Sequence, residues 1–180
     1  MTPIEFLLTR QSSPLLTSPA PSANALAQIL AAGMRVPDHA GLQPWHFTVI
    51  SKSGLQKLSD LFVNNSGKEV DNLEKIAKMP FRAPMIIVIS TQFSKHEKVP
   101  VQEQLITAGC SAHAMQMAAA ALGFGAIWRT GSLAYNNGVK TGLGVSEDNE
   151  IIGFLYVGSR CKTLPIKPAK DYARKVTFWN

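Results

Sequence analysis

Apolar residues recur along this chain with two periods, about 3.6 and about 2, which separate helices from strands. Residues 3–9 predict a short helix ending near Arg10, and residues 11–21, rich in Ser and Pro, predict an extended segment. From Asn24 to Met34 the apolar residues Leu26, Ile29, Leu30 and Met34 fall at helical spacing, and Pro37 stops that helix. HFTVIS, residues 46–51, predicts a strand. Ser53 and Gln56 stand in capping-box register and predict a helix through Phe62. A polar helix with the character of a lid is expected over residues 68–78. PMIIVIS, residues 84–90, is a continuous apolar run, the pattern of a strand covered on both faces.

The longest predicted helix runs from Val101 to Leu122. Its second half, AMQMAAAALG, is small and apolar all round, so it must be covered on every side, with Cys110 as a small core residue and Gly123 as the C-cap. FGAIW predicts a strand, Ser132 the cap of a short helix to about Thr141, and EIIGFLYVG a last strand. The residues from 159 to 180 contain Pro165, Pro168 and several cations; they cannot form a core alone and are expected to wrap across something. No linker divides the pattern, so residues 1–180 are expected to form a single α+β domain.

Composition narrows the classes. The chain is 46% hydrophobic and 17% charged, which is ordinary for a globular domain. The net charge of +6 suits an anionic ligand or a plain solvated surface, and no basic run interleaved with aromatics suggests nucleic acid. The apolar stretch Leu105–Trp128 is broken by Thr107, Ser111, His113, Gln116 and three glycines, so it reads as a buried helix and strand rather than a membrane span. Cys110 and Cys161 match no disulfide or metal spacing, and the first residues lack a signal-peptide pattern; a reducing, cytoplasmic location is expected.

No Rossmann glycine pattern, P-loop, metal motif or nucleophile elbow is present. Polar residues gather instead at element ends. Arg10-Gln11-Ser12 places a guanidinium, an amide and a hydroxyl together, a set suited to phosphate. Arg35, Asp38, His39 and Gln43 lie in a loop pinned by Pro37, Pro44 and Trp45, where binding residues concentrate; an ordinary turn with Asp38 as a cap is the plainer alternative. Trp128-Arg129-Thr130-Gly131 ends a strand, where backbone N–H groups can face an electron-rich ring; a simple strand-to-helix turn is its alternative.

With these stretches in hand, the chain resembles the nitroreductase family, and within it the YdjA-like branch. The matching segments are Arg10 with Ser12, GMRVPDH followed by LQPWHFTVI, PFRAPMIIVI, AGCSAHAMQMAAAALGFGAIWRTG and EIIGFLYVGS, in that order. The resemblance implies an FMN-binding α+β fold, a central, mostly antiparallel sheet flanked by helices, and an intertwined homodimer with FMN sites shared between chains. It implies that Arg10, Gln11 and Ser12 hold the phosphate and ribityl end, that Arg35 and His39 reach the partner's FMN, and that Trp128, Arg129 and Thr130 line the ring. Ala118, Ala119, Ala120, Ala121, Leu122 and Gly123 match a stretch associated with NAD(P), although they also suit plain packing. The implied activity is ping-pong hydride transfer from NAD(P)H to an electron-poor small molecule, a nitroaromatic or a quinone. The cofactor carries that chemistry, so no catalytic side chain and no metal are expected. A non-catalytic FMN-binding or redox-sensing dimer is the alternative. The branch has two consecutive arginines where this chain has Arg10-Gln11, a loss of roughly 1.5–3 kcal/mol of charge-assisted binding unless another cation substitutes. Lys162, Lys167, Lys170, Arg174 and Lys175 of the tail could supply it.

Overall fold

A computed structural model describes residues 1–67 and 73–179. In chain order the elements are α1 (Pro3–Thr9), β1 (Leu16–Thr17), α2 (Ala23–Gly33), β2 (Trp45–Ser51), α3 (Ser53–Asn64), α4 (Leu73–Ala77), β3 (Met85–Thr91), α5 (Val101–Ala121), β4 (Gly125–Arg129), α6 (Asn137–Gly142) and β5 (Ile151–Arg160). Among the described residues these make one α+β fold around a five-stranded sheet. Its order is β1-β5-β3-β2, with β4 also paired to β5, and every pairing is antiparallel.

The continuous apolar run of β3 has a simple cause: helices cover both faces of the sheet, and all seven residues of the strand are buried. Alternation sends Ile86 and Val88 to one side and Ile87 and Ile89 to the other. The first side packs on α3 through Leu58 and Phe62, with Phe154 and Tyr156 of β5. The second packs on α2 and α5 through Ile29, Ala112, Met115 and Ala119, with Leu155 and Val157. Each fully buried isoleucine contributes roughly 1.5–3 kcal/mol. Small residues let α2 and α5 approach closely: a Cβ added at Gly33 would stand 2.8 Å from Met115 Cγ.

Several sequence expectations are corrected. Ser53 does not cap α3. The turn from β2 is the single residue Lys52, held at φ 51°, so Ser53 is already helical, and no side chain caps the helix. Gln56 bonds to Asp60 Oδ1 at 2.8 Å instead. Ser132 does not cap one helix to Thr141: a 3-10 turn, Ser132–Tyr135, follows Gly131, and α6 is capped separately by Asn136, whose Oδ1 accepts from Val139 N. Cys110 is exposed, not core, because it lies on the stripe of α5 with Ile106 and His113 that faces away from the sheet. Within one chain, then, α5 is not covered all round. Of the polar helix expected over 68–78, Leu73–Ala77 is helical, and residues 68–72 lie outside the described residues.

Candidate functional site

Two of the polar clusters lie at opposite ends of α5, and the third, at the end of β4, is divided between the two faces of the sheet. Arg10 ends α1, with its N–H donating to Phe6 O at 2.9 Å. Its side chain enters a cavity of about 390 Å3 bounded by Gln11, Ala120, Ala121, Arg160 and Leu164. Arg10 Nη1 is buried there with no hydrogen-bond partner. The segment is tied to the sheet by Ser13 N donating to Ala126 O at 3.0 Å. The buried Gln116 of α5 donates to Ser12 Oγ at 3.2 Å and to Ala126 O at 3.4 Å, fixing the hydroxyl from below. Gln11 faces elsewhere: its amide donates to Pro165 O at 2.6 Å and fastens the start of the tail beside the cavity.

Arg160 went unnoticed in the sequence. It closes β5, lines the Arg10 cavity and donates from Nε to Phe124 O at 3.3 Å. Its position supplies a second cation where the double-arginine pattern is broken. It lies two residues beyond the predicted strand EIIGFLYVG, and β5 runs on to include it, pairing Arg160 with Leu16 of the amino-terminal segment.

Of residues 118–123, Ala119 is fully buried in the core, while Ala120 and Ala121 line the cavity. Leu122 ends the helix, and Gly123, at φ 88°, takes the left-handed conformation that turns the chain into β4.

The second cluster is at the other end of α5. His39 Nδ1 lies 2.8 Å from Glu103 Oε2, and both side chains are about half exposed. Arg35 is exposed at the end of α2. The loop between them is held tightly: Gln43 N donates to Asp38 Oδ2 at 2.7 Å, Trp45 Nε1 donates to Met34 Sδ at 3.0 Å, and Ala40 and Gln43 take φ of 61° and 49°. Asp38 thus closes the loop upon itself rather than capping a helix. Glu103 and Ala120 are separated by 17 helical steps, or roughly 26 Å at 1.5 Å rise per residue. One chain therefore holds Arg10 and His39 apart.

The third cluster is divided by strand alternation. Trp128 packs on the α5 side and donates from Nε1 to Ile152 O at 3.1 Å. It fits because β5 has a glycine on the diagonal from it: Leu155 is its register partner, and a Cβ on Gly153 would stand 2.2 Å from Trp128 Nε1. Arg129 points to the α3 side, its guanidinium 5.8 Å from the centroid of the Tyr156 ring. Burial pushes the Tyr156 phenol up from its ordinary pKa, while the Arg82 and Arg129 charges pull it down. Thr130 is exposed, and Gly131 at φ 111° opens the turn that follows.

The profile described as the nitroreductase family matches residues 8–159. The Escherichia coli K12 protein named "Putative NAD(P)H nitroreductase YdjA" is 43% identical over 162 residues, covering 88% of each chain. The nitroreductase-like family protein from Bacillus cereus superposes with a TM-score of 0.88 at 23% identity, covering 99% of this chain and 96% of that one. A nitroreductase with bound FMN from Bacteroides fragilis superposes with a TM-score of 0.76 at 20% identity, covering 98% of both. The chain belongs to the nitroreductase family of oxidoreductases and has its fold.

Proposed function

We propose that the protein is an FMN-dependent NAD(P)H oxidoreductase, working as a homodimer, that reduces an electron-poor small molecule such as a nitroaromatic or quinone. The observation that carries this is the buried, unpartnered Nη1 of Arg10, with Arg160 on the same cavity wall. A buried guanidinium donor calls for an oxyanion, and FMN brings a phosphate. Family membership and the FMN named for the Bacteroides fragilis neighbour support the same cofactor.

The residues fit the group. Arg10 and Arg160 hold the phosphate. Ser12, steadied by Gln116, meets the ribityl end. Gln11 acts through the tail, which it fastens beside the cavity. Trp128 gives a flat, fixed wall to the ring, and the backbone of Arg129 and Thr130 faces its edge. Ala120 and Ala121 leave space for the nicotinamide nucleotide along the end of α5. When bound, FMN supplies the hydride chemistry between NAD(P)H and the acceptor, in ping-pong order. The chain orients the partners, holds charge beside them and excludes water; no side chain is assigned as acid or base.

Arg35 and His39 serve the FMN of the other subunit, for which the 26 Å (roughly, by helical rise) along α5 is the support. The second copy would also cover apolar surface that one chain leaves open: Leu105 and Ile106 on α5, and Ile4, Leu7 and Leu8 on α1, are all at least 40% exposed. Phe178 and Trp179, 76% and 93% exposed, would anchor the tail on that copy. Both cysteines are free, which suits the cytoplasm, and no helix among the described residues is long and apolar enough to cross a membrane. The test is the visible spectrum of the FMN-saturated protein before and after anaerobic NADH and NADPH. Oxidised-flavin bands that bleach with either nucleotide and return with a quinone are expected. Bands that persist with both would leave a flavin-binding protein without this activity.

A further inference from the structure

Helix α5 has Pro100 as its N-cap, and Glu103 stands in its first turn. A glutamate three residues after an N-cap ordinarily reaches back to the N-cap N–H, but proline has none, and no side chain caps this helix. Glu103 reaches across to another element instead. Its Oε2 lies 2.8 Å from Nδ1 of His39, in the loop that follows α2. Asp38, the other carboxylate beside the ring, is already engaged by Gln43 N at 2.7 Å. Both members of the His39–Glu103 pair are about half exposed, and pairs in that setting add little to stability. The loop is closed independently by the Asp38–Gln43 and Trp45–Met34 bonds. What the pair does fix is the imidazole. Ala40, directly after His39, holds φ 61°, a conformation that costs a non-glycine residue energy and persists only where its surroundings impose it.

An ionised carboxylate only accepts, so the contact requires a proton on Nδ1 whether the ring is neutral or doubly protonated. Nε2, on the far side of the ring, bonds to no described residue. We propose that Glu103 is a positioning residue: it fixes the ring angle and the Nδ1 proton of His39, and so presents Nε2 to the FMN of the other subunit. The hydrogen bond at one ring nitrogen sets what the other offers, which is how a carboxylate behind a histidine acts on a ligand it never touches. The surroundings agree with this role. His39 and Glu103 border an open hollow with Pro37, Ile106 and Thr107, and Ile106, 66% exposed, lies on the face expected to meet the second copy. The inference rests on the proposed FMN site and on its sharing between subunits. The hold of Glu103 on His39 is independent of both and is read without flavin.

Nitrogen–proton NMR spectra of the histidine rings in the flavin-free protein report where His39 carries its proton, its signals being identified by their loss in His39→Ala. At about pH 8, above the ordinary range of imidazole, a protonated Nδ1 is expected in the native chain. Glu103→Gln should keep it, because the amide oxygen still accepts, and Glu103→Ala should lose that preference. FMN titrations read the consequence. Glu103→Ala and His39→Ala should each raise Kd about three- to tenfold, and Glu103→Gln by less than about twofold. Glu103→Ala should add nothing in a chain already carrying His39→Ala. A carboxylate serving only the first turn of α5 would instead make Gln and Ala equivalent at position 103 and leave the double variant additive. A proton on Nε2 alone in the native chain, ring signals unchanged by Glu103→Ala, equal losses in the Gln and Ala variants, or an additive double variant would each overturn the proposal. If Glu103→Ala does not fold, the native ring spectrum and Glu103→Gln decide. A native chain that takes up no FMN would sink the reading on which the proposal rests; FMN uptake that Glu103→Ala leaves unchanged would sink the positioning role alone.

Discussion

Arg10→Met is expected to move stability and cofactor binding in opposite directions. In the flavin-free chain Nη1 is a buried donor without an acceptor, which costs about 1–3 kcal/mol. The rest of the guanidinium borders an open cavity, so solvent screening favours the low end, about 1 kcal/mol. Met keeps most of the side-chain bulk and removes that unmet donor. The flavin-free variant should therefore melt no lower than the native chain, and up to about 2–4 °C higher for a chain of this size. With FMN present, the variant lacks charge-assisted bonds worth roughly 1.5–3 kcal/mol, so Kd should rise about ten- to a hundredfold. Gln11→Ala should cost less, at most about tenfold, since its amide is already engaged by Pro165 O and is neutral. The assays are flavin-fluorescence titration and thermal melts of FMN-free and FMN-saturated protein. A variant that melts several degrees lower without flavin, yet binds FMN within about threefold of native, would refute the phosphate assignment and make Arg10 a structural residue.

Subunits defective at Arg10, mixed with subunits carrying Arg35→Ala and His39→Ala, should regain activity in the heterodimer, because one of its two shared sites carries neither defect. No recovery after verified subunit exchange would place each site in one chain. Ile106→Arg, at a position 66% exposed, should leave the fold intact and yield monomers in sedimentation; a flavin-loaded dimer in that variant would move the interface away from this face. Gly153→Ala should displace Trp128 and cost about 1–3 kcal/mol by overpacking, seen as a lowered melt and a shifted tryptophan emission; an unchanged emission would contradict the contact. The folded-state pKa of Tyr156 is raised from 10.0, so its contribution to stability is present below pH 10 and falls as pH rises through the higher folded value. Tyr156→Phe should accordingly flatten the loss of stability above pH 10, and an unchanged alkaline limb would contradict it.

The elements were readable wherever a pattern was set by burial. β3 announced itself because both its faces meet helices, α2 because its apolar residues keep helical spacing, and α5 because a long run of Ala and Met with no breaker favours helix. Capping residues were misread where a single-residue turn left no extended position, as at Lys52 before Ser53. The exposed stripe of α5 was hidden because Ile106 and Cys110 are residue types that usually lie inside, so their exposure leaves no mark in the sequence. At the site, Arg10 and Ser12 could be found as neighbours in sequence. Arg160 could not: its relation to Arg10 exists only once β5 returns beside the amino-terminal segment. Trp128-Arg129-Thr130 looked like one cluster, yet the pleat of β4 sends the first two side chains to opposite faces.

Helix α5 also acts as a gauge. Its Glu103 end fixes His39 and its Ala120 end borders Arg10, so the number of residues between them sets both spacing and angle. Deleting one residue there would shorten the gap by only about 1.5 Å but turn one end by about 100° relative to the other. The buried face of Ala112, Met115 and Ala119 would rotate off the sheet at one end, or the anchor of His39 would swing away at the other. An insertion or deletion within α5 is therefore expected to disturb both ends at once, whereas a substitution that keeps the count leaves their relation intact.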